Sequence, residues 1–212
     1  MKRCIIVGGA DIGNYDYIMS RLSEDFFVFC DSGLRHMDRL GVRPDLIVGD
    51  FDSSENPHLA GVETIVLPCE KDDTDTLYAV KEALGRGFRE FLLIGVIGNR
   101  LDHTLGNVYI LTFLDSVGAH GLIIDDYSEM ELVSREPVFV DDDFTYFSLI
   151  NITGETRDIT IEDAKYPLSK ATITTDYQYG ISNEPLPGKR AAVSVGEGRA
   201  LLIKIFNHSL QK

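Results

Sequence analysis

A hydrophobic run, Leu46-Ile47-Val48, breaks at Gly49 and at once presents Asp50 and Asp52. Two carboxylates two residues apart at the end of a strand point to the same side. Some twenty residues on, Lys71-Asp72-Asp73-Thr74-Asp75 opens a helical pattern. From Asp45 to Asp75 there are nine acidic residues against one basic residue, Lys71. Such a cluster repels itself unless a cation sits in it. Oxygen donors without His or Cys suit Mg²⁺, which commonly shares its coordination shell with phosphate. This segment therefore points to metal-assisted handling of a phosphorylated substrate. The bland alternative for Asp50 and Asp52 is a turn after a buried strand. For Asp72, Asp73 and Thr74 it is capping of a helix, with Asp73 as cap or near-cap. Capping needs one acceptor, and here there are three carboxylates and a hydroxyl.

The 212 residues suffice for one large domain or two small ones, and 44% hydrophobic content supports an ordinary core. A net charge of −14 argues against nucleic acid as a partner, because phosphate backbones need clustered Lys and Arg. Three widely spaced cysteines, Cys4, Cys30 and Cys69, read as small hydrophobes in a reduced, cytoplasmic protein. The first apolar run is too short for a signal peptide, and no segment approaches transmembrane length.

The two halves read differently. Residues 1–126 alternate strand candidates (Cys4–Val7, Phe26–Cys30, Leu46–Val48, Thr64–Leu67, Phe91–Val96, Leu122–Ile124) with helix candidates (Tyr15–Leu22, Leu34–Leu40, Thr74–Leu84, His103–Ser116). That alternation predicts an α/β domain with a mostly parallel, three-layer sheet, whose ligands bind outside the carboxyl ends of the strands. Residues 127–212 carry only short β-rich runs separated by turn residues, which predicts a small all-β sandwich or barrel.

Polar clusters fall at four strand ends: Gly8-Gly9-Ala10-Asp11, Asp31-Ser32-Gly33, Gly49–Ser54 and Gly98-Asn99-Arg100. In Gly95–Asn107 the glycines admit backbone amides to a phosphate, the helix start favours anions, and Arg100 can grip phosphate with two donors. The bland version is a β–α loop with Asp102 as helix cap. Neither the dinucleotide fingerprint nor the P-loop occurs. Of the five histidines only His103, beside Asp102, is placed near the chemistry; His36 and His120 read as structural or exposed.

Taken together and in this order, the motifs resemble the thiamine pyrophosphokinase family. They are Asp31-Ser32-Gly33; Pro44-Asp45 through Gly49-Asp50-Phe51-Asp52-Ser53; Lys71-Asp72 with Thr74-Asp75; and Gly98, Arg100, Asp102-His103, Gly106-Asn107. In the second half Tyr166-Pro167-Leu168 and Ser182-Asn183 extend the match. The resemblance implies an N-terminal α/β domain binding ATP and Mg²⁺ and a C-terminal β-sandwich that contributes to thiamine binding and homodimerisation. It implies transfer of pyrophosphate from ATP to the thiamine hydroxyl, releasing AMP. Asp50, Asp52 and Asp75 are then expected around Mg²⁺, and Asp102 and Lys71 near nucleotide and substrate. Asp31, Ser32, Asp72, Thr74, Arg100, His103 and Asn107 are expected at the nucleotide. Ser182 and Asn183 are expected to reach thiamine in the partner subunit's site. Some members stack thiamine on a tryptophan; this chain has none, and Tyr177, Tyr179 or an aromatic elsewhere is expected in its place. Two other classes fit the same residues: a pyrophosphokinase acting on another alcohol such as a pterin, and a nucleotide-binding module without activity.

Overall fold

A computed structural model describes residues 2–51, 59–70, 72–177 and 179–206. Asp52, Lys71 and Ser53 lie outside the described residues. The chain divides into two compact units, Met1–Asp126 and Tyr127–Lys212.

In the first unit six strands, β1 (Cys4–Val7), β2 (Phe26–Cys30), β3 (Leu46–Gly49), β4 (Glu63–Val66), β5 (Glu90–Ile94) and β6 (His120–Ile124), pair in the order β6-β5-β1-β2-β3-β4, all parallel. Every residue of β1 and β3 is buried. Near-continuous apolar runs of this kind mark strands covered on both faces. The helices are α1 (Tyr15–Ser20), α2 (Met37–Leu40), α3 (Asp75–Gly85) and α4 (Leu101–Ser116). From β1 the chain steps outward through β2 and β3 to β4, then returns to the other side of β1 with β5 and β6. Right-handed crossovers therefore put α1 and α2 on one face and α3 and α4 on the other. In agreement, α3 touches α4 and α1 touches α2. The order reverses at β1/β5, and a reversal leaves a crevice at the strands' carboxyl ends.

The helix expected over Leu34–Leu40 is instead a 3-10 turn, Asp31–His36, followed by the short α2. Gly33 sets this shape. A Cβ there would lie 2.2 Å from the Val7 carbonyl oxygen, so only glycine lets the turn lie against the end of β1. The turn starts directly from β2 at Asp31, whose φ of 25° is a left-handed value.

The second unit is a two-sheet antiparallel sandwich. Its strands are β7 (Ser128–Val133), β8 (Val138–Val140), β9 (Phe144–Asn151), β10 (Glu155–Glu162), β11 (Leu168–Thr174), β12 (Gly180–Asn183), β13 (Ala191–Ser194) and β14 (Ala200–Phe206). One sheet contains β12-β9-β14-β7 and the other β11-β10-β13-β8. Between them lies an apolar core that includes Val133, Phe147, Leu149, Ile159, Ile161 and Leu202. Its end is charged: buried Lys204 pairs with Glu129 at 2.9 Å and Glu131 at 2.8 Å. Segment Gly180–Asn183 forms the edge strand of its sheet, paired with β9.

Candidate active site

Three acidic residues converge at the carboxyl edge of the parallel sheet. Asp31 leaves β2, Asp50 leaves β3, and Asp75 begins α3. One carboxylate oxygen from each lies within 4.8 Å of the other two, and all three residues are half-buried. Backbone strain gathers here too: Asp31 (φ 25°) and Phe51 (φ 53°) are both left-handed. Strained backbone costs roughly 1–3 kcal/mol per residue and persists where surrounding structure enforces it. An all-oxygen, anionic donor set of this kind fits a hard divalent cation such as Mg²⁺. Of the expected set Asp50, Asp52 and Asp75, the structure brings Asp50 and Asp75 together in this cluster. Asp31, expected at the nucleotide, joins them, and Asp52 lies outside the described residues. The sequence signal for Asp31 was available, since it follows an apolar strand just as Asp50 does.

Asp75 is aimed by its neighbour. The Thr74 hydroxyl accepts the Leu77 N–H at 3.2 Å and caps α3. Of the two positions expected for Asp73, cap or near-cap, it takes the second, just before Thr74, and pairs with Lys81 at 2.7 Å. Asp72 is exposed.

At the β1/β5 crevice lies a cavity of about 420 Å³, lined by the Gly8–Asp11 loop, Ser32, Arg35 and Thr76 on one side and by Gly95–Arg100, His103, Thr104 and Asn107 on the other. Ser32 and Thr76 each adjoin an aspartate of the cluster, so cavity and cluster share elements. The two loops are stitched by Gly8 N–H to Ile94 O at 2.9 Å and Ala10 N–H to Gly95 O at 2.8 Å. Gly9 approaches so closely that a Cβ would lie 1.9 Å from the Ser32 Oγ. Asn107 is buried and its Nδ2 donates to Val96 O at 2.8 Å, so it fixes the end of β5. Thr104 Oγ1 accepts from the Gly98 N–H at 3.1 Å.

Asp102 does not cap α4: Arg100 occupies that position and Asp102 lies in the first turn. Its carboxylate holds the Arg100 guanidinium through two hydrogen bonds, of 3.0 and 2.6 Å. Those bonds keep the Asp102 carboxyl well below the usual carboxylate range. While it holds Arg100, Asp102 is a poor acceptor of a substrate proton near neutral pH.

Arg35 and His36 were missed as site residues. Both belong to the 3-10 turn. Arg35 lines the cavity and pairs with Asp11 at 2.6 Å. His36, 3% exposed, lies 2.6 Å from the Tyr15 hydroxyl at Nδ1 and 2.9 Å from the Ala10 carbonyl at Nε2. The carbonyl can only accept, so Nε2 carries the hydrogen and Nδ1 accepts from tyrosine. His36 thus anchors the loop that forms one cavity wall. A lone His in a helical run gives no sequence signal for that task. Of the cysteines, Cys4 and Cys30 are buried, and burial pushes the Cys4 thiol up to about 12. They are inert core residues; Cys69 is exposed.

The sandwich unit has its own cavity, of about 400 Å³, lined among others by Lys165, Tyr166, Pro167, Leu168, Tyr179 and Asn183. Asn183 is 5% exposed. Its Oδ1 accepts from the N–H groups of Tyr166 (3.0 Å) and Glu184 (2.9 Å), and its Nδ2 donates to Tyr166 O at 2.8 Å. Most of its hydrogen-bonding capacity is spent on shaping the cavity rim, which leaves one amide hydrogen. Ser182 is exposed with a left-handed φ of 59°. Tyr177 and Tyr179 stack with ring centroids 6.0 Å apart.

Comparison with known proteins bears on both units. The family description "Thiamin pyrophosphokinase, catalytic domain" matches residues 19–119, and "Thiamin pyrophosphokinase, vitamin B1 binding domain" matches residues 135–199. Thiamine pyrophosphokinase of Bacillus subtilis (strain 168) is 28% identical over 181 residues, which cover 82% of this chain and 84% of that protein. The crystal structure of thiamin pyrophosphokinase from Geobacillus thermodenitrificans superposes with a TM-score of 0.82 at 27% identity, covering 98% of this chain and 99% of the other. The Bacillus subtilis structure (TM-score 0.85, 24% identity, 97% and 100% covered) supports the fold. The chain belongs to the thiamin pyrophosphokinase family.

Proposed function

We propose that this protein transfers the pyrophosphoryl group of ATP to the hydroxyl of thiamine, giving AMP and thiamine pyrophosphate in a Mg²⁺-dependent reaction. The observation that carries the reading is the convergence of Asp31, Asp50 and Asp75, within 4.8 Å, beside a cavity walled by glycine loops and two arginines. Family membership supplies the substrates. Mg²⁺, when bound, supplies positive charge against the triphosphate. Asp31, Asp50 and Asp75 would hold it. The amides of the Gly8–Asp11 and Gly95–Arg100 loops other than those of Gly8, Ala10 and Gly98, together with the start of α4, would receive the phosphates, with Arg100 as a cationic contact. Transfer of this type rests on positioning and charge stabilisation more than on covalent chemistry.

Thiamine recognition falls to the sandwich unit, and the protein acts as a homodimer. The Tyr166–Leu168 rim and the Tyr177/Tyr179 pair offer aromatic surface to a cationic ring. This is the physical replacement for the tryptophan that the chain lacks. Incubation with ATP, Mg²⁺ and thiamine, followed by phosphorus NMR, tests the reading. AMP and thiamine pyrophosphate are expected. Formation of ADP and thiamine monophosphate would overturn it, as would transfer to a pterin alcohol but not to thiamine.

A further inference from the structure

The described residues lining the β1/β5 cavity include two guanidinium groups, Arg35 and Arg100, and one carboxylate, Asp11. Each arginine is engaged by a nearby carboxylate: Arg35 by Asp11 at 2.6 Å and Arg100 by Asp102 at 2.6 Å. The Arg35–Asp11 pair is open to water, with side-chain exposures of 47% and 85%. An exposed pair of this kind is weak and easily exchanged. Its two ends are held very differently. Arg35 belongs to the 3-10 turn that starts at Asp31 and is wedged against β1 through Gly33. Its neighbour His36 is clamped between Tyr15 and the Ala10 carbonyl. Asp11 follows Ala10 and is fixed by no comparable contact among those described. The cation is therefore positioned by the fold, whereas its partner is a surface side chain.

We propose that Arg35 is a second phosphate ligand of the nucleotide site and that Asp11 is a stand-in for phosphate on it, leaving the guanidinium when polyphosphate arrives. This rests on the nucleotide reading given above. In a chain of net charge −14, an acidic metal cluster needs cations beyond the metal to admit a triphosphate. Arg35 stands on the same turn as Asp31, so one short element would carry both a metal ligand and a phosphate ligand. A phosphate chain offers two oxygens at each group to a planar guanidinium, as a carboxylate does, and carries more charge. Asp11 meets the guanidinium through one hydrogen bond, from the Arg35 Nη2, so a phosphate oxygen can take its place without moving the arginine.

Calorimetric titration of the full chain with Mg²⁺ and α,β-methylene-ATP, with inorganic tripolyphosphate and with adenosine tests the proposal. Arg35→Ala should weaken the two polyphosphates about 10- to 100-fold and leave adenosine unchanged. Arg35→Lys should recover part of the loss. Asp11→Asn should tighten polyphosphate binding, because it removes the competitor. Arg35→Gln, which keeps the stem, replaces the alanine variant should that one fail to fold. Equal weakening by Arg35→Ala and Asp11→Asn would overturn the proposal, because the pair would then serve only to brace the loop. If wild type binds polyphosphate and the arginine variants bind it as well, the proposal fails while the nucleotide reading stands. If wild type binds no nucleotide, both fall.

Discussion

At the scale of single residues, the site is a balance of like charges and one neutral histidine. Asp50→Asn keeps the shape of the side chain and removes one of three converging charges. Turnover should fall by orders of magnitude, since charge stabilisation by a bound metal is worth several kcal/mol. The melting temperature without metal should hold or rise, and added Mg²⁺ should no longer raise it. Thermal scans with and without Mg²⁺ check this. His36 gives a pH signature. Burial above all, with the positive charges of Arg35 and Arg39 nearby, holds its pKa below the ordinary histidine value of 6.5, against the opposing pull of the Ala10 carbonyl and of Asp11. The unfolded chain therefore takes up a proton near pH 6.5 that the folded chain refuses until lower pH. Its contribution to stability is complete above pH 6.5 and is lost as the pH falls through the window below it, with a slope of at most about 1.4 kcal/mol per pH unit. In His36→Gln that part of the slope should vanish. Urea denaturation from pH 7 to pH 5 on both proteins makes the comparison; identical slopes would mean that His36 is not held neutral.

At the scale of elements, one cap sets the start of the helix that carries a carboxylate of the cluster. Thr74→Ala should cost about 1 kcal/mol of stability, a fall of about 2–4 °C in melting temperature for a chain of this size. It should also cost more turnover than so small a destabilisation explains, because Asp75 is the next residue. Much of this was legible beforehand. Apolar runs such as Ile5-Ile6-Val7 and Leu46-Ile47-Val48 announce buried parallel strands, and the glycines and aspartates at their ends announce a binding edge. What stayed hidden depends on contacts between segments distant in sequence. The helical pattern of Leu34–Leu40 did not show that Gly33 must lie against the Val7 carbonyl, so the 3-10 turn and the roles of Arg35 and His36 went unread. Asn183 was expected at thiamine on the family resemblance, and it does line the sandwich cavity. Its use on Tyr166, seventeen residues earlier, is a tertiary fact. Thr74 and Asp73 are equally good caps by composition; the Leu77 N–H on Thr74 and the pairing of Asp73 with Lys81 separate them.

At the scale of the whole molecule, activity is expected to require two chains, with metal and nucleotide on the first unit of one and thiamine contacts on the sandwich of the other. Mixing Asp50→Asn with Tyr179→Ala subunits at limiting thiamine checks this. Mixed dimers should recover activity that neither parent has, whereas no recovery despite confirmed subunit exchange would place both residues in one chain's site. The left-handed backbone at Asp31 also bears on the protein's lifetime. An empty site carries both the strain at Asp31 and Phe51 and the mutual repulsion of three carboxylates; ligands relieve the second and hold the first in place. The unliganded chain is then the one that opens most often, and proteases cut what opens. Cleavage by a nonspecific protease under native conditions should slow in the presence of Mg²⁺ and nucleotide. Supply of its own substrates would in this way set how long each copy survives.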